Sequence, residues 1–426
     1  MPKKDNFKHD FCVQTPSLGH ITCCQVCFSK NLATFLSLGH QPPSDAFLRG
    51  ADLVKSEITY PLSLYFCPKC SLVQLGYVVD PKLLFQDYVY NSGTNNSLKV
   101  NFKNLVDKLI VRFKLKTDDL AIDVGSNDGT LLENYRAHGV RILGIDPSSV
   151  AVLAIKKGIP TIIDFFNERV AASVNKKYGK AKVITATNVF AHVVELGSFM
   201  MGITKLLASD GVFISESHYL LDIIKCLQYD SIYHEHLRYY SLRSLIFLFK
   251  KHGLEVIDVE RISTHNGSLR VYAARPGSYM VSQRVFKLLN LEERNGLYDL
   301  KLLRIFAKRV EEHRHFLQNL ILKLNQKSKS IVGIGAPAKG NTLLNACRLG
   351  LDMIDYLVEK SDLKIGMFAP GTHIPVVSEK KLFDEQPDYA LVLSWNIADE
   401  LITKLRTLGY RGKFIIPLPK PQIISK

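Results

Sequence analysis

The chain has 426 residues, 46% hydrophobic and 22% charged, which exceeds the span of one core and predicts a globular protein of two or three domains. Lysine and arginine number 55 against 40 aspartates and glutamates, and the resulting charge of +15 favours anionic partners such as nucleoside diphosphates or nucleic acid. The basic residues are scattered, no run nears the roughly 18 apolar residues that cross a bilayer, and residues 1–10 are polar, so the expectation is a cytoplasmic protein with no nucleic-acid and no membrane partner.

Four of the eight cysteines form two knuckles, Cys24-Gln25-Val26-Cys27 and Cys67-Pro68-Lys69-Cys70. Each places two thiolates on one side of a soft cation, and together they predict a closed tetrahedral zinc site that serves folding and takes no part in catalysis. Cys23 adjoins the first knuckle, but the two-residue spacer suits Cys24 better. Cys12, Cys226 and Cys347 read as small buried apolar residues.

An apolar strand from Leu120 runs into a tight turn with Gly125 and Gly129, followed by a helix over 131–138 and a strand over 141–145 that ends at Asp146. That is the order of a nucleoside-binding α/β unit, in which an acid at the second strand's end accepts from both ribose hydroxyls. The carboxylate of Asp123, just before the turn, would repel a pyrophosphate, so a cofactor with a cationic or amino-acid end fits better than a dinucleotide. Further strands are expected over 182–185 and 212–217. Asn188 and His192 follow the first of these, where they border either cofactor or substrate; a helix cap is the alternative for Asn188.

Tyr233-His234-Glu235-His236 gathers proton-handling side chains. It is not a zinc-protease helix, because the position four after His234 is Arg238. The choice at this point lies between acid/base chemistry and a buried, hydrogen-bonded polar turn. After Arg275 a charged helical stretch covers 282–327, then a strand over 330–334, a second glycine turn, and strands over 354–358, 390–394 and 413–416. The turn over 335–340 lacks a Gly-x-Gly-x-x-Gly and carries Lys339, which argues against NAD; Lys339, Asn341 and Thr342 are positioned to hold a diphosphate or sugar.

Residues 123–129 with Asp146 resemble the class I methyltransferases that use S-adenosylmethionine. The knuckles, Ala186-Thr187-Asn188-Val189-Phe190-Ala191-His192, Ile232-Tyr233-His234-Glu235-His236 and Gly333-Ile334-Gly335-Ala336-Pro337-Ala338-Lys339-Gly340-Asn341-Thr342 narrow the resemblance to the sugar C-methyltransferases, in order over almost the whole chain. The resemblance implies an α/β protein with a small zinc-binding domain (1–85), a central Rossmann-like methyltransferase domain (86–280) and a C-terminal Rossmann-like domain (281–426). It implies cofactor contacts at Asp123, Gly125, Asn127, Gly129, Asp146, Asn188 and His192. His236 becomes the base, with Tyr233 and Glu235 assisting, and Tyr88, Tyr90, His234, Arg270, Lys339, Asn341 and Thr342 line the substrate. The implied substrate is a nucleotide-linked, dTDP-type 4-keto-6-deoxyhexose methylated at C3 through an enolate, because a sugar carbon becomes acidic only beside a ketone. In His265-Asn266-Gly267-Ser268-Leu269-Arg270, Asn266 replaces a glycine of the family segment; asparagine tolerates positive φ, so the turn is expected to survive. A zinc-containing nucleic-acid methyltransferase would share the cofactor domain but lacks a base-reading element here. A catalytically dead nucleotide-sugar binder is disfavoured by intact Tyr233, Glu235 and His236. The absence of a coiled-coil seam favours a monomer.

Overall fold

A computed structural model describes residues 18–85, 93 and 96–425. Three sheets organise the described residues, beside a short two-stranded ribbon.

The N-terminal sheet is antiparallel and has four strands, in the order Arg238–Tyr239, Leu72–Leu75, Tyr60–Cys67, Ala33–Gln41. Leu62, Leu64 and Phe66 alternate with less buried neighbours, the period-two pattern of a sheet with one face in the core. The first of these strands is contributed from far along the chain, with Arg238 opposite Gln74 and Tyr239 opposite Val73. The unit expected over 1–85 is therefore completed by residues that directly follow His236.

The central sheet has seven strands, in the order Glu255–Ile262, Ser268–Ala274, Leu207–His218, Ala181–Thr187, Leu120–Val124, Arg141–Ile145, Thr161–Ile162. Its last five run parallel, and the two C-terminal strands add antiparallel pairings. From Leu120–Val124 the chain steps outward twice and then returns to the opposite side, which makes a topological switch point between Leu120–Val124 and Ala181–Thr187, where such sheets bind ligands. Leu120–Val124 is buried throughout, as a strand covered on both faces must be, and Asp123 is the one carboxylate in it.

The helical stretch expected over 282–327 is two helices, Gln283–Arg294 and Leu300–Asn325. They part at Gly296, whose φ of 69° ends the first, and Asp299 caps the second by accepting from the Lys301 N–H at 2.9 Å. A six-stranded sheet follows, in the order Val376–Ser378, Leu357–Glu359, Ile331–Ile334, Tyr389–Val392, Lys413–Ile416, Gln422–Ile424, parallel except for its last strand. Its switch point lies at the end of Ile331–Ile334, before the helix Ala338–Cys347. One continuous apolar cluster runs from Cys24 through the central sheet to Leu418, so the three sheets share a core. No helix among the described residues is long and apolar enough to cross a membrane.

Inside the central sheet Glu216 and Arg270 face each other across paired strands, 0% and 2% exposed at their side chains. The guanidinium donates twice to Glu216 Oε2, at 3.0 and 2.8 Å, and once to Asn101 Oδ1 at 2.8 Å. Removing one member of such a pair strands a buried charge, whereas replacing both with apolar residues does not. Glu216→Ala is expected to destabilise the protein by about 3–5 kcal/mol, and Glu216→Leu with Arg270→Met to recover most of it. Urea unfolding of both variants checks this; a single variant as stable as the parent would refute it.

Candidate active site and metal centre

Each cysteine knuckle is closed by a backbone turn and a left-handed residue. Phe28 N donates to Cys24 O at 2.9 Å and Ser71 N to Cys67 O at 2.8 Å, with φ of 59° at Phe28 and 60° at Ser71. The turns bring Cys24 Sγ to 3.4 Å from Cys70 Sγ and Cys27 Sγ to 3.4 Å from Cys67 Sγ, and all four sulfurs lie within 4.8 Å of one another. Four thiolates at tetrahedral zinc, with bonds of about 2.3 Å, stand about 3.8 Å apart, so the set fits zinc. Cys23 is outside it, which resolves the sequence ambiguity in favour of Cys24. Three of the four are buried and protein supplies every ligand, leaving no open position for substrate. Two cations stand nearby: Lys251, which donates to Val26 O at 2.9 Å, and buried Arg238, whose charge reaches Cys24.

Gln74 connects this centre to the rest of the site. Its side chain accepts from Gln25 N at 2.9 Å and donates to Cys23 O at 3.3 Å, while its backbone pairs with Arg238. Arg238 in turn donates to the carbonyls of Val193 and Val194.

The glycine turn sits at the central switch point. Gly125 has φ of 73°, donates to Ile145 O at 2.7 Å, and would drive a Cβ to 2.1 Å from Val189 Cγ2, so the turn and the segment around Asn188 meet where no side chain fits. Asn127 and Asn188 adopt φ of 51° and 57°, and Gly129 precedes the helix Thr130–Ala137. Asp146 accepts from Asn127 N at 2.8 Å through one oxygen, and through the other from Ser148 N at 2.8 Å and Ser148 Oγ at 2.5 Å, which fixes its carboxylate at the rim of the turn. Burial raises the Asp123 carboxyl to about 7, against a 2.6 Å hydrogen bond from the Thr185 hydroxyl and with help from the charge of Asp146. Gly93 also reaches this turn: a Cβ there would lie 2.2 Å from Asp128 Oδ2. Tyr88 and Tyr90 lie outside the described residues.

The side chains of Tyr233-His234-Glu235-His236 diverge. His236 Nδ1 lies 2.8 Å from Ser231 O, a group that only accepts, so Nδ1 carries the proton and Nε2 is the basic nitrogen. The Tyr233 hydroxyl lies 2.9 Å from Nε2. The rings of His192 and His218 meet His236 edge-on, with centroids at 4.8 and 5.0 Å, and burial lowers His192 to about 4, leaving it neutral at pH 7. His234 instead points at the N-terminal sheet, with Nε2 3.3 Å from Tyr60 O. Glu235 faces the field of Asp45 and Lys364; burial, then Asp45, raise its carboxyl well above the usual range against the pull of Lys364. Tyr233 and His236 thus meet the histidines after the central strands, while His234 and Glu235 turn elsewhere.

The remaining expected positions separate. The Arg270 guanidinium is engaged by Glu216 and Asn101. Asn341 donates to Ser44 O at 2.7 Å and Thr342 to Ala338 O at 3.2 Å, both buried in the helix Ala338–Cys347. Lys339 exposes part of its stem but buries its ammonium without a hydrogen-bond partner, facing Asp230. Asp230 and Trp395, which share a hydrogen bond beside Lys339, and His218, which packs on His236, are not among the residues expected from the sequence. The sequence signal for Asp230 was its place just before the Tyr-His-Glu-His segment; Trp395, the chain's single tryptophan, carries none beyond following a C-terminal strand.

Three family descriptions match successive stretches: a zinc binding domain over residues 24–85, a methyltransferase domain over 101–259, and a C-methyltransferase C-terminal domain over 263–419. The C-methyltransferase NovU of Streptomyces niveus is 35% identical over 405 residues, 94% of this chain and 96% of that protein. Partial structural likenesses include the magnesium protoporphyrin IX methyltransferase of Synechocystis PCC 6803 with bound S-adenosylhomocysteine (16% identity, 42% of this chain and 83% of that one, TM-score 0.33). Another is an S-adenosylmethionine-dependent methyltransferase from Clostridium acetobutylicum (14% identity, 41% and 91%, TM-score 0.33).

The Gln74 link makes the metal a support for the segment that bears His236. Chelation should remove about one zinc per chain by elemental analysis, and hydrogen exchange across 228–241 should rise while that across 120–124 stays slow. Unchanged exchange in 228–241 after zinc is gone would refute the link.

Proposed function

The chain belongs to the S-adenosylmethionine-dependent C-methyltransferase family, and from that premise we propose that it methylates C3 of a nucleotide-linked, dTDP-type 4-keto-6-deoxyhexose through an enolate. The observation that carries the reading is the fixed imidazole of His236, with Nδ1–H given to Ser231 O and Nε2 left basic beside the Tyr233 hydroxyl. C–H acidity next to a ketone is within reach of a neutral histidine, whose unperturbed pKa is about 6.5.

His236 Nε2 takes the C3 proton; the electron pair moves toward C4 and its oxygen. Tyr233 donates to that oxygen or hands its hydrogen bond from Nε2 to it as the imidazolium forms. Glu235, whose carboxyl burial and Asp45 raise above the usual range, would assist from the far side of the segment by fixing its backbone between Asp45 and Lys364. S-adenosylmethionine, when bound, supplies a methyl on a sulfonium whose positive charge is lost as the C3–methyl bond forms. Asp146 and the turn over 123–129 would hold its ribose and amino-acid portions. The buried ammonium of Lys339 makes no hydrogen bond, so that beside the field of Asp230 it keeps donors to offer a diphosphate. Asn341 and Thr342 would shape that helix end through their packing, and Arg270 would act through Glu216 to hold the strand beneath the sugar. Tyr88 and Tyr90, outside the described residues, keep the substrate role that the resemblance implies, and oligomerisation is not required for any step.

Incubation of dTDP-4-keto-6-deoxyglucose and related keto-sugars with S-adenosylmethionine in deuterated water, read by mass spectrometry, tests this. Methyl gain is expected for the parent protein. His236→Ala should lose both methyl gain and deuterium uptake by about 10²–10⁴-fold, and Tyr233→Phe should lose methyl gain by a smaller factor. Full turnover by a folded His236→Ala would end the base assignment, and no methyl gain on any keto-sugar would end the substrate class.

Asp123 supplies a second test. Its carboxyl, raised from 3.8 to about 7, keeps a proton in the folded protein that the unfolded chain releases, so its contribution to stability is present below pH 3.8 and is lost as pH rises through about 7. A cationic ligand prefers the ionised form, which reverses the sense for binding. Affinity for S-adenosylmethionine should therefore rise by up to about tenfold per pH unit between about pH 5.5 and 7, and calorimetry of Asp123→Asn should show a flat profile. The same slope in the variant would refute a role for this carboxyl.

A further inference from the structure

The short 3-10 turn Tyr229–Ser231 is gripped by the C-terminal region at one residue after another. The Tyr229 hydroxyl lies 2.9 Å from His313 Nδ1 and 3.1 Å from Cys347 Sγ, and His313 Nε2 lies 2.7 Å from Pro417 O. Asp230 Oδ2 accepts from Trp395 Nε1 at 2.7 Å, and Lys339 brings its charge to the same carboxyl. Ser231 then presents its carbonyl to His236 Nδ1 at 2.8 Å. Tyr229, Asp230 and Ser231 are all 0% exposed, so the turn has no freedom that its neighbours do not allow.

Trp395 opens the turn Trp395–Ile397 that leaves the strand Tyr389–Val392, and Lys339 lies in the first turn of the helix that leaves Ile331–Ile334. Both come from the C-terminal ends of adjacent strands, the edge at which this sheet meets the rest of the protein. A tautomer is set by the hydrogen bond its other nitrogen makes, and a ring is aimed by the same bond.

We propose that Asp230 and Trp395 are positioning residues for His236, acting through the Ser231 carbonyl to hold the imidazole with Nδ1 protonated and Nε2 aimed at the substrate. The C-terminal region thereby contributes to proton abstraction through a chain of hydrogen bonds and without touching the reacting carbon. This rests on the reading of His236 as the base.

The test compares Trp395→Phe, Asp230→Ala and Asp230→Asn in the zinc-loaded full chain, with His236→Ala alongside. Trp395→Phe removes the indole N–H, and Asp230→Ala removes its acceptor; each should lower kcat by about ten- to a hundredfold, as a misplaced base does, while KM for the keto-sugar stays within about twofold. Asp230→Asn keeps an oxygen for the indole N–H and should retain most of kcat. Nitrogen-15 histidine spectra should show the hydrogen-bonded Nδ1 proton of His236, assigned by its loss in His236→Ala, to be shifted or broadened in the first two variants and kept in Asp230→Asn. Lowered thermal stability with kcat and that resonance unchanged would overturn the proposal. Should Trp395→Phe not fold, Tyr229→Phe, which deletes one hydroxyl of the same grip, carries the same readouts with the same sense. If His236→Ala retains turnover, the base assignment fails; if it is dead while Trp395→Phe is fully active, the positioning role alone fails.

Discussion

The pairing of Arg238–Tyr239 with Leu72–Leu75 is the constraint on which the site depends. Backbone ladders specify register, and a slip of one residue would turn every side chain of this strand to the opposite face. The strand is two residues long, so it borrows rigidity from both sides. Gln74 ties it to the cysteine knuckle, and Arg238 ties it to the carbonyls of Val193 and Val194, just past His192. The metal centre, the histidines after the central strands and the Tyr-His-Glu-His segment are thus parts of one hydrogen-bonded frame. The four cysteines leave zinc no open position for substrate, and the Gln74 link carries its hold to the backbone beside His236.

Six of the fifteen buried side-chain atoms that lack a hydrogen-bond partner among the described residues belong to the expected site residues or their neighbours. Among the described residues, Asp230 Oδ1, Ser231 Oγ, His234 Nδ1, Lys339 Nζ, Asn341 Oδ1 and Ser44 Oγ are buried without hydrogen-bond partners. Each such group costs about 1–3 kcal/mol against a satisfied one, and a fold retains the cost where it serves a ligand or a reaction. Three of the positive-φ residues are asparagines, Asn127, Asn188 and Asn266, with φ of 51°, 57° and 60°. Asparagine tolerates that conformation better than other residues with side chains, and each of these sits in a loop at the ligand edge of the central sheet.

Much of this was legible in the sequence, for local reasons. Knuckle spacing encodes a metal site within a few residues, and the strands over 141–145 and 413–416 were read at their observed bounds because apolar runs between turn residues identify buried parallel strands. Asn266 has the positive φ its residue type suggested. What escaped was non-local. Nothing in Arg238-Tyr239 announces that it completes a sheet begun at Ala33, because edge pairing is chosen by tertiary contact. The break at Gly296 hid inside a continuous amphipathic charge pattern. Adjacency in Tyr233-His234-Glu235-His236 suggested one cluster, yet successive residues in a turn point to different sides, so the chemistry separates into Tyr233 with His236, His234 with Tyr60, and Glu235 with Asp45 and Lys364. Trp395 was invisible because its partner, Asp230, lies in another sheet's territory.

The surroundings of His236 also bear on which acids it can deprotonate. Burial lowers His192 to about 4, and the Nδ1 partner is a carbonyl where many catalytic histidines have a carboxylate. A carbonyl fixes the ring as well as a carboxylate does but offers no full charge to stabilise the imidazolium. Proton uptake here is therefore favoured chiefly when a negative charge appears next to the ring in the same step. An enolate formed within contact distance meets that demand, and ion-pair attraction in a buried site is several times stronger than in water. A base of this kind is poorly matched to creating a free hydroxide or alkoxide at a distance, and well matched to a carbon acid already activated by an adjacent ketone.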